Sequence, residues 1–223
     1  MNLMKYGDAD MMAIDVAQNI AGDLTATLQH QERALLAVPG GTTPGPIFDV
    51  LCAADLDWSR VDVVLTDERW VAEISPRSNT KLLRDRLLVN RAAAATLLPL
   101  YAEAGTPEEA LPGLIATLED KLPIDVAILG MGADMHTASL FPDSDELLAA
   151  LAPDAPLLLT VRPDSQPEAR VTLAAHVLNG ALRKHIVFKG ADKLAALERA
   201  RSLPPEQAPI SAVLDGATVH YTE

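Results

Sequence analysis

One histidine in this chain stands in company that could do chemistry. In the run Gly130-Met131-Gly132-Ala133-Asp134-Met135-His136-Thr137-Ala138-Ser139-Leu140-Phe141-Pro142, Asp134 and His136 follow the apolar segment DVAILG (125–130). A carboxylate placed there can hold one imidazole nitrogen in a fixed tautomer and leave the other free as a base. On this segment alone, a histidine that only completes a turn is an equally open reading. His30, His176, His185 and His220 have no such neighbour, and none shows metal-ligand spacing such as H-E-x-x-H, so no metal is expected. Ser139 lies in Ala-Ser-Leu, not in Gly-x-Ser-x-Gly, and is not expected to be a nucleophile. The glycines begin like a dinucleotide fingerprint, but the third would fall on Met135, so no nicotinamide cofactor is expected, nor any other.

Two further polar clusters follow apolar runs. Pro39-Gly40-Gly41-Thr42-Thr43-Pro44 leads out of ALLAV (34–38). Gly40 and Gly41 let backbone amides approach an anion, and Thr42 and Thr43 add hydroxyls, so a phosphate would fit; an ordinary strand-to-helix turn with a threonine cap is the alternative. No lysine follows the second glycine as it would in a Walker loop. Thr66-Asp67-Glu68-Arg69-Trp70 ends VDVVLT (61–66), with Ser75, Arg77, Ser78 and Asn79 after it. Acids and a base just past a buried strand are costly to desolvate unless paired, so they form a structural ion network or handle a polar ligand. Ser78-Asn79 also reads as a helix cap.

The elements that must carry these clusters alternate. Apolar spacing of three to four (Met11, Met12, Val16, Ile20, Leu24, Leu28) predicts a helix from Asp8 to about Gln31. Strand-like runs at 34–38, 61–66, 97–101, 125–130, 155–161 and 185–189 are interleaved with helix-like segments at 44–54, 79–88, 107–121, 173–182 and 191–200, and the chain closes with the short apolar runs 210–214 and 218–221. Unbroken apolar strands are buried on both faces, so the expected fold is α/β: a largely parallel, doubly wound sheet with helices on both faces. The three clusters should then share the rim at the strands' carboxyl ends.

Composition bounds the partners. Of 223 residues 49% are hydrophobic, enough for one domain over 1–223 without disulfides or metal. Eighteen Lys and Arg against 31 Asp and Glu give a net charge of −13, which repels nucleic acid and anionic membranes. Cys52 has no partner for a disulfide and sits in an apolar run, as in a reducing compartment. No signal-like start or membrane-length apolar window is found, so a cytoplasmic protein is expected.

Together and in this order, the segments resemble the 6-phosphogluconolactonase family. PGGTTP, TDERWV with SPRSN, and GMGADMHTASLFP are similar to its three characteristic motifs; EARVTL and FKGADKLAAL resemble later ones, so the likeness runs over roughly residues 34 to 200. The resemblance implies a NagB/RpiA-like fold and hydrolysis of a sugar-phosphate δ-lactone in the oxidative pentose phosphate pathway. It further implies His136 as the base that activates water, Asp134 orienting it, and Asp67 and Arg69 on the substrate's hydroxyls and carbonyl oxygen. Gly40, Gly41, Thr42, Arg170 and Lys193, with Arg77 as a further candidate, would grip the phosphate. Arg170 paired only with Glu168, and Lys193 as a solvated helix residue, are the structural alternatives. Glucosamine-6-phosphate deaminases and isomerases share these motifs, but usually read Asp-Glu-Tyr in the second and carry an acid where this chain has Phe141. A sugar-phosphate sensor without turnover is a further alternative. The family usually has glycine where this chain has Met135, which would be strained at a positive φ. The implied partner is a small molecule, and the chain a monomer or small homo-oligomer.

Overall fold

A computed structural model describes residues 1–223. In chain order its elements are β1 (Asn2–Lys5), α1 (Ala9–Leu28), β2 (Ala34–Val38), α2 (Gly45–Leu51), β3 (Val61–Leu65), β4 (Asp67–Arg69), α3 (Asn79–Arg86), β5 (Thr96–Leu98), α4 (Pro107–Leu118), β6 (Val126–Gly130), α5 (Leu147–Leu151), β7 (Leu158–Val161), β8 (Arg170–Leu173), α6 (Ala175–Asn179), β9 (Arg183–Lys189), α7 (Ala191–Ala200) and β10 (Thr218–Thr222). Every residue of β2 and β3 is buried. The cause is their place inside a seven-stranded sheet of order β1-β10-β9-β6-β2-β3-β5, in which all pairs are parallel.

The strand order records how the chain winds. From β2 it steps outward to β3 and β5, then crosses back to lay β6, β9 and β10 on the other side of β2. Parallel crossovers are right-handed, so reversing the direction of travel moves the connecting helices to the opposite face. Helices α1, α2 and α3 pack in succession on one face, while α5 packs on α6 and α7 on β9. This is the doubly wound sheet expected from the alternation of elements, and its reversal lies between β2 and β6. No helix is long and apolar enough to cross a membrane.

Three departures from the sequence reading have local causes. β1 is mostly exposed and carries no apolar run; it exists because it pairs with β10 at the sheet edge. The run at 155–161 is a strand only from Leu158, and it belongs to a second, antiparallel sheet of order β4-β8-β7. The helix expected over 173–182 shrinks to α6, because Leu173 is taken by β8 opposite Leu158.

The junction between β4 and α3 is closed by one side chain. Glu68 is fully buried. One carboxylate oxygen accepts the backbone N–H of Arg69 (2.8 Å) and of Asn79 (2.7 Å). The other accepts the N–H of Thr80 (2.7 Å) and the Ser78 hydroxyl (3.0 Å). An anion at a helix N-terminus is favourable twice over, through unpaired amides and through the helix dipole. Ser78 completes the cap by accepting from Lys81 N.

A second polar seam runs through the sheet edge. The Tyr6 hydroxyl donates to Asp15 (2.5 Å) and contacts His220 Nδ1 (2.8 Å). His220 Nε2 meets His185 Nδ1 (3.0 Å), and His185 Nε2 meets Asp23 (2.9 Å). The seam thereby joins Tyr6, just past β1, with β10 and β9 to α1. Burial, reinforced by His185, pushes the His220 imidazole down to about 4 despite Asp15.

Two outcomes are expected. Between its ordinary 6.5 and about 4, the unfolded chain binds a proton at His220 that the native state does not. This contribution to stability is therefore complete above pH 6.5 and is lost as the pH falls toward 4, by on the order of 3 kcal/mol. Urea midpoints at pH 7 and pH 4 measure it, and an unchanged difference in His220→Gln would refute the assignment. Glu68→Gln replaces one of the two accepting oxygens by an NH2 that faces donors; a loss of about 3 kcal/mol is expected in chemical unfolding.

Candidate active site

β2, β3 and β6 end at Val38, Leu65 and Gly130, and each of the three polar clusters begins at one of those ends. All three line one cavity of about 240 Å³ at the sheet's reversal point. Such folds place their ligands there, because diverging connections open a crevice between neighbouring strands.

Gly40, Gly41 and Thr42 form one wall. The helix that follows has no side-chain cap at all, so the threonine-cap alternative does not hold. The two glycines are required for different reasons. Gly41 has φ +91°, which favours glycine. A Cβ on Gly40 would overlap the side chain of Asn79.

The second cluster divides its labour. Glu68 is spent on the α3 junction, while Asp67 and Arg69 line the cavity. Asp67 accepts from the Ser139 hydroxyl at 2.5 Å and faces Arg170 at 3.5 Å. Arg69 donates to the Arg77 carbonyl at 2.6 Å. Arg77 itself stands outside the cavity lining, because its guanidinium is engaged by Glu168. The structural alternative that pairs Arg170 with Glu168 is thus occupied by a different arginine.

In the third cluster, His136 Nδ1 is 2.6 Å from Asp134 Oδ1, which also accepts the His136 backbone N–H at 3.2 Å. Burial would raise the Asp134 carboxyl, but the hydrogen bond and charge of His136 outweigh it and hold the carboxyl below its ordinary value. The imidazole lines the cavity and Asp134 backs it. The intervening turn is tight: Met135 has φ +68° and Ala138 φ +49°. Met135 therefore holds the left-handed conformation for which glycine is suited, as its position in the motif implied. A Cβ on Gly132 would overlap both the Asp134 carboxylate and the His136 ring, so that glycine lets the pair fold back over its own strand.

Two cations from distant elements complete the wall. Arg170, on β8, is 5% exposed. Desolvation lowers its guanidinium below the ordinary arginine value, although Asp67 opposes the shift. Lys193 enters from the first turn of α7. Both arginines keep a buried Nε with no hydrogen-bond partner, at Arg69 and at Arg170. Unmet buried donors are costly, about 1–3 kcal/mol each, and an acceptor bound in the cavity would relieve that cost.

Eight of the ten residues singled out from the sequence thus line one cavity; Asp134 stands behind it and Arg77 to one side. Three neighbours were not singled out. Asn79 lines the cavity and donates to the Asp67 carbonyl at 2.9 Å. The signal for it was two adjacent capping residues where a helix needs one: Ser78 caps, which frees Asn79. Ser139 holds Asp67, and Phe141 stacks on His136.

Comparisons with known proteins agree in length and fold. The family model described as glucosamine-6-phosphate isomerases/6-phosphogluconolactonase matches residues 7–221. A 6-phosphogluconolactonase of Mesorhizobium japonicum is 41% identical over 220 residues, covering 97% of this chain and 91% of the relative. Another from Pseudomonas aeruginosa is 40% identical over 223 residues, covering 98% and 94%. The crystal structure of a 6-phosphogluconolactonase from Shewanella baltica matches with a TM-score of 0.96 at 31% identity, covering 100% of this chain and 98% of that one. With a fold and a sequence that agree over nearly the whole length, the chain belongs to the glucosamine-6-phosphate isomerase/6-phosphogluconolactonase family.

Proposed function

We propose that this chain is a 6-phosphogluconolactonase, a carboxylic-ester hydrolase that opens the δ-lactone of 6-phosphogluconate to the free acid. One observation carries the reading: an imidazole held by a carboxylate at 2.6 Å lines the same cavity as Arg170, Lys193 and the Gly40-Gly41 backbone. The names of the relatives support the substrate, and the geometry supports a division of roles within the cavity.

The chemistry asks little of the protein. A lactone carbonyl is already electrophilic, so a positioned water, one base and some charge stabilisation suffice. Asp134 occupies His136 Nδ1, which leaves Nε2 to take a proton from water as its oxygen attacks the carbonyl carbon. The same proton returns to the ring oxygen as the C–O bond breaks, and the imidazole ends as it began. Arg69, with its unmet Nε, supplies a donor for the negative charge growing on the carbonyl oxygen, and Asp67 accepts from a substrate hydroxyl. The phosphate rests against Gly40, Gly41 and Thr42, with Arg170 and Lys193 as its counter-charges. Arg77 has no part in it, because its charge is matched by Glu168.

In an acidic protein this cluster has a further use. The net charge of −13 repels a phosphorylated substrate at long range, and the cations act only once it reaches the cavity.

Two measurements test the reading. His136→Ala should lower lactone hydrolysis, corrected for the spontaneous reaction, by roughly 10²–10⁴-fold; near-normal turnover would exclude His136 as the base. Lys193→Met should raise KM for the phosphorylated lactone roughly 10–100-fold, the value of one charge-assisted contact. It should leave the unphosphorylated lactone unaffected, and equal losses on both would remove Lys193 from the phosphate.

A further inference from the structure

Phe141 is 2% exposed, yet unlike Phe48 and Phe188 it lies outside the chain's main cluster of buried hydrophobic residues. Its ring is in polar company. It stacks on the His136 imidazole with centroids 4.3 Å apart and planes 25° apart. The Arg170 guanidinium carbon lies over the same ring, 5.4 Å from its centre. A large apolar side chain buried away from the core, between two groups of the site, contributes something other than core packing.

We propose that Phe141 is a positioning residue for His136. The proposal rests on the reading of His136 as the base. A base must point one nitrogen at the water, and an imidazole has two rotatable bonds by which to miss. The bond from Nδ1 to Asp134 fixes where one edge of the ring sits, but leaves the plane free to swing about that contact. The stack removes most of the swing, since a ring face 4.3 Å away leaves little room for further tilt. When His136 takes the proton from water it becomes a cation, and the face of Phe141 is electron-rich, so the contact improves as the reaction proceeds. The Arg170 guanidinium carbon lies 5.4 Å from the centre of the same ring, so one aromatic side chain touches both the base and a cation of the site.

The ring is itself held from both sides. Ser139, two residues earlier, bonds Asp67 through its hydroxyl and Thr172 through its backbone N–H. The Phe141 carbonyl accepts from Ser144 N at 3.2 Å. A turn so anchored, with Leu140 rooted in the hydrophobic core, delivers Phe141 to His136.

The test joins a spectroscopic and a kinetic readout. In the wild-type protein, the His136 ring protons should be shifted upfield in NMR by the current of the stacked ring, and Phe141→Leu should return them toward ordinary imidazole positions. Phe141→Leu should lower kcat roughly 10–100-fold, the cost of a misdirected group. That loss should vanish in a His136→Gln background, measured under single turnover with enzyme in excess, because a residue acting through His136 has nothing left to position. Phe141→Met, whose unbranched side chain fills irregular space, should behave alike if Leu fails to fold. Unshifted ring protons in the wild type, an unchanged kcat in the variants, or the same loss with and without His136 would each overturn the proposal. Full turnover by His136→Gln with the upfield shift intact would instead defeat the reading of His136 as base and leave the stacking in place.

Discussion

A single buried carboxylate ties together three stretches of chain that the parallel sheet delivers separately. Asp67 leaves the end of β3, accepts the Ser139 hydroxyl from the turn after β6, and faces Arg170 on β8. Its backbone carbonyl takes the Asn79 amide at the start of α3. Ionised groups this far from water are tolerated only when matched, so each partner fixes the others. Without this node the large sheet would still form from its apolar strands. The small antiparallel sheet would lose a charged link to the rim, and Arg170 would lose the carboxylate it faces.

That distinction explains what could be read from the chain alone. Unbroken runs such as ALLAV and DVAILG carry their burial in their composition, and the glycine and histidine clusters carry their chemistry in adjacent residues. β4 and β8 are different. Asp67–Arg69 is three polar residues long, and it becomes a strand because Thr172, Val171 and Arg170 lie opposite it, about a hundred positions later. Nothing local encodes that pairing. Which arginine meets which carboxylate is equally non-local: Arg77 and Arg170 both lie near Glu168, and the antiparallel register gives Glu168 to Arg77 while turning Arg170 inward to Asp67. Phe141 was visible only as a residue that is not an acid; its ring's contacts with His136 and Arg170 exist only after folding.

Strain is concentrated where the chemistry is. Met135 and Ala138 hold left-handed backbone on either side of His136, and Asn90 is the one other non-glycine residue with positive φ. Such conformations persist when their surroundings over-determine them. Here the Met135 carbonyl accepts from Ile210 and its N–H donates to Gly132. Methionine stands where glycine would be unstrained, and the turn's hydrogen bonds keep the geometry.

The seam at the other edge of the sheet is a single row. Tyr6 donates its one hydrogen to Asp15, and its oxygen meets His220, which in turn meets His185. The other nitrogen of His185 faces Asp23 at 2.9 Å. Both ends of the row rest on α1, through Asp15 and Asp23, so one helix closes the contacts of β9 and β10 from outside. Loss of either aspartate would leave a phenol or an imidazole at the sheet edge without its outer partner.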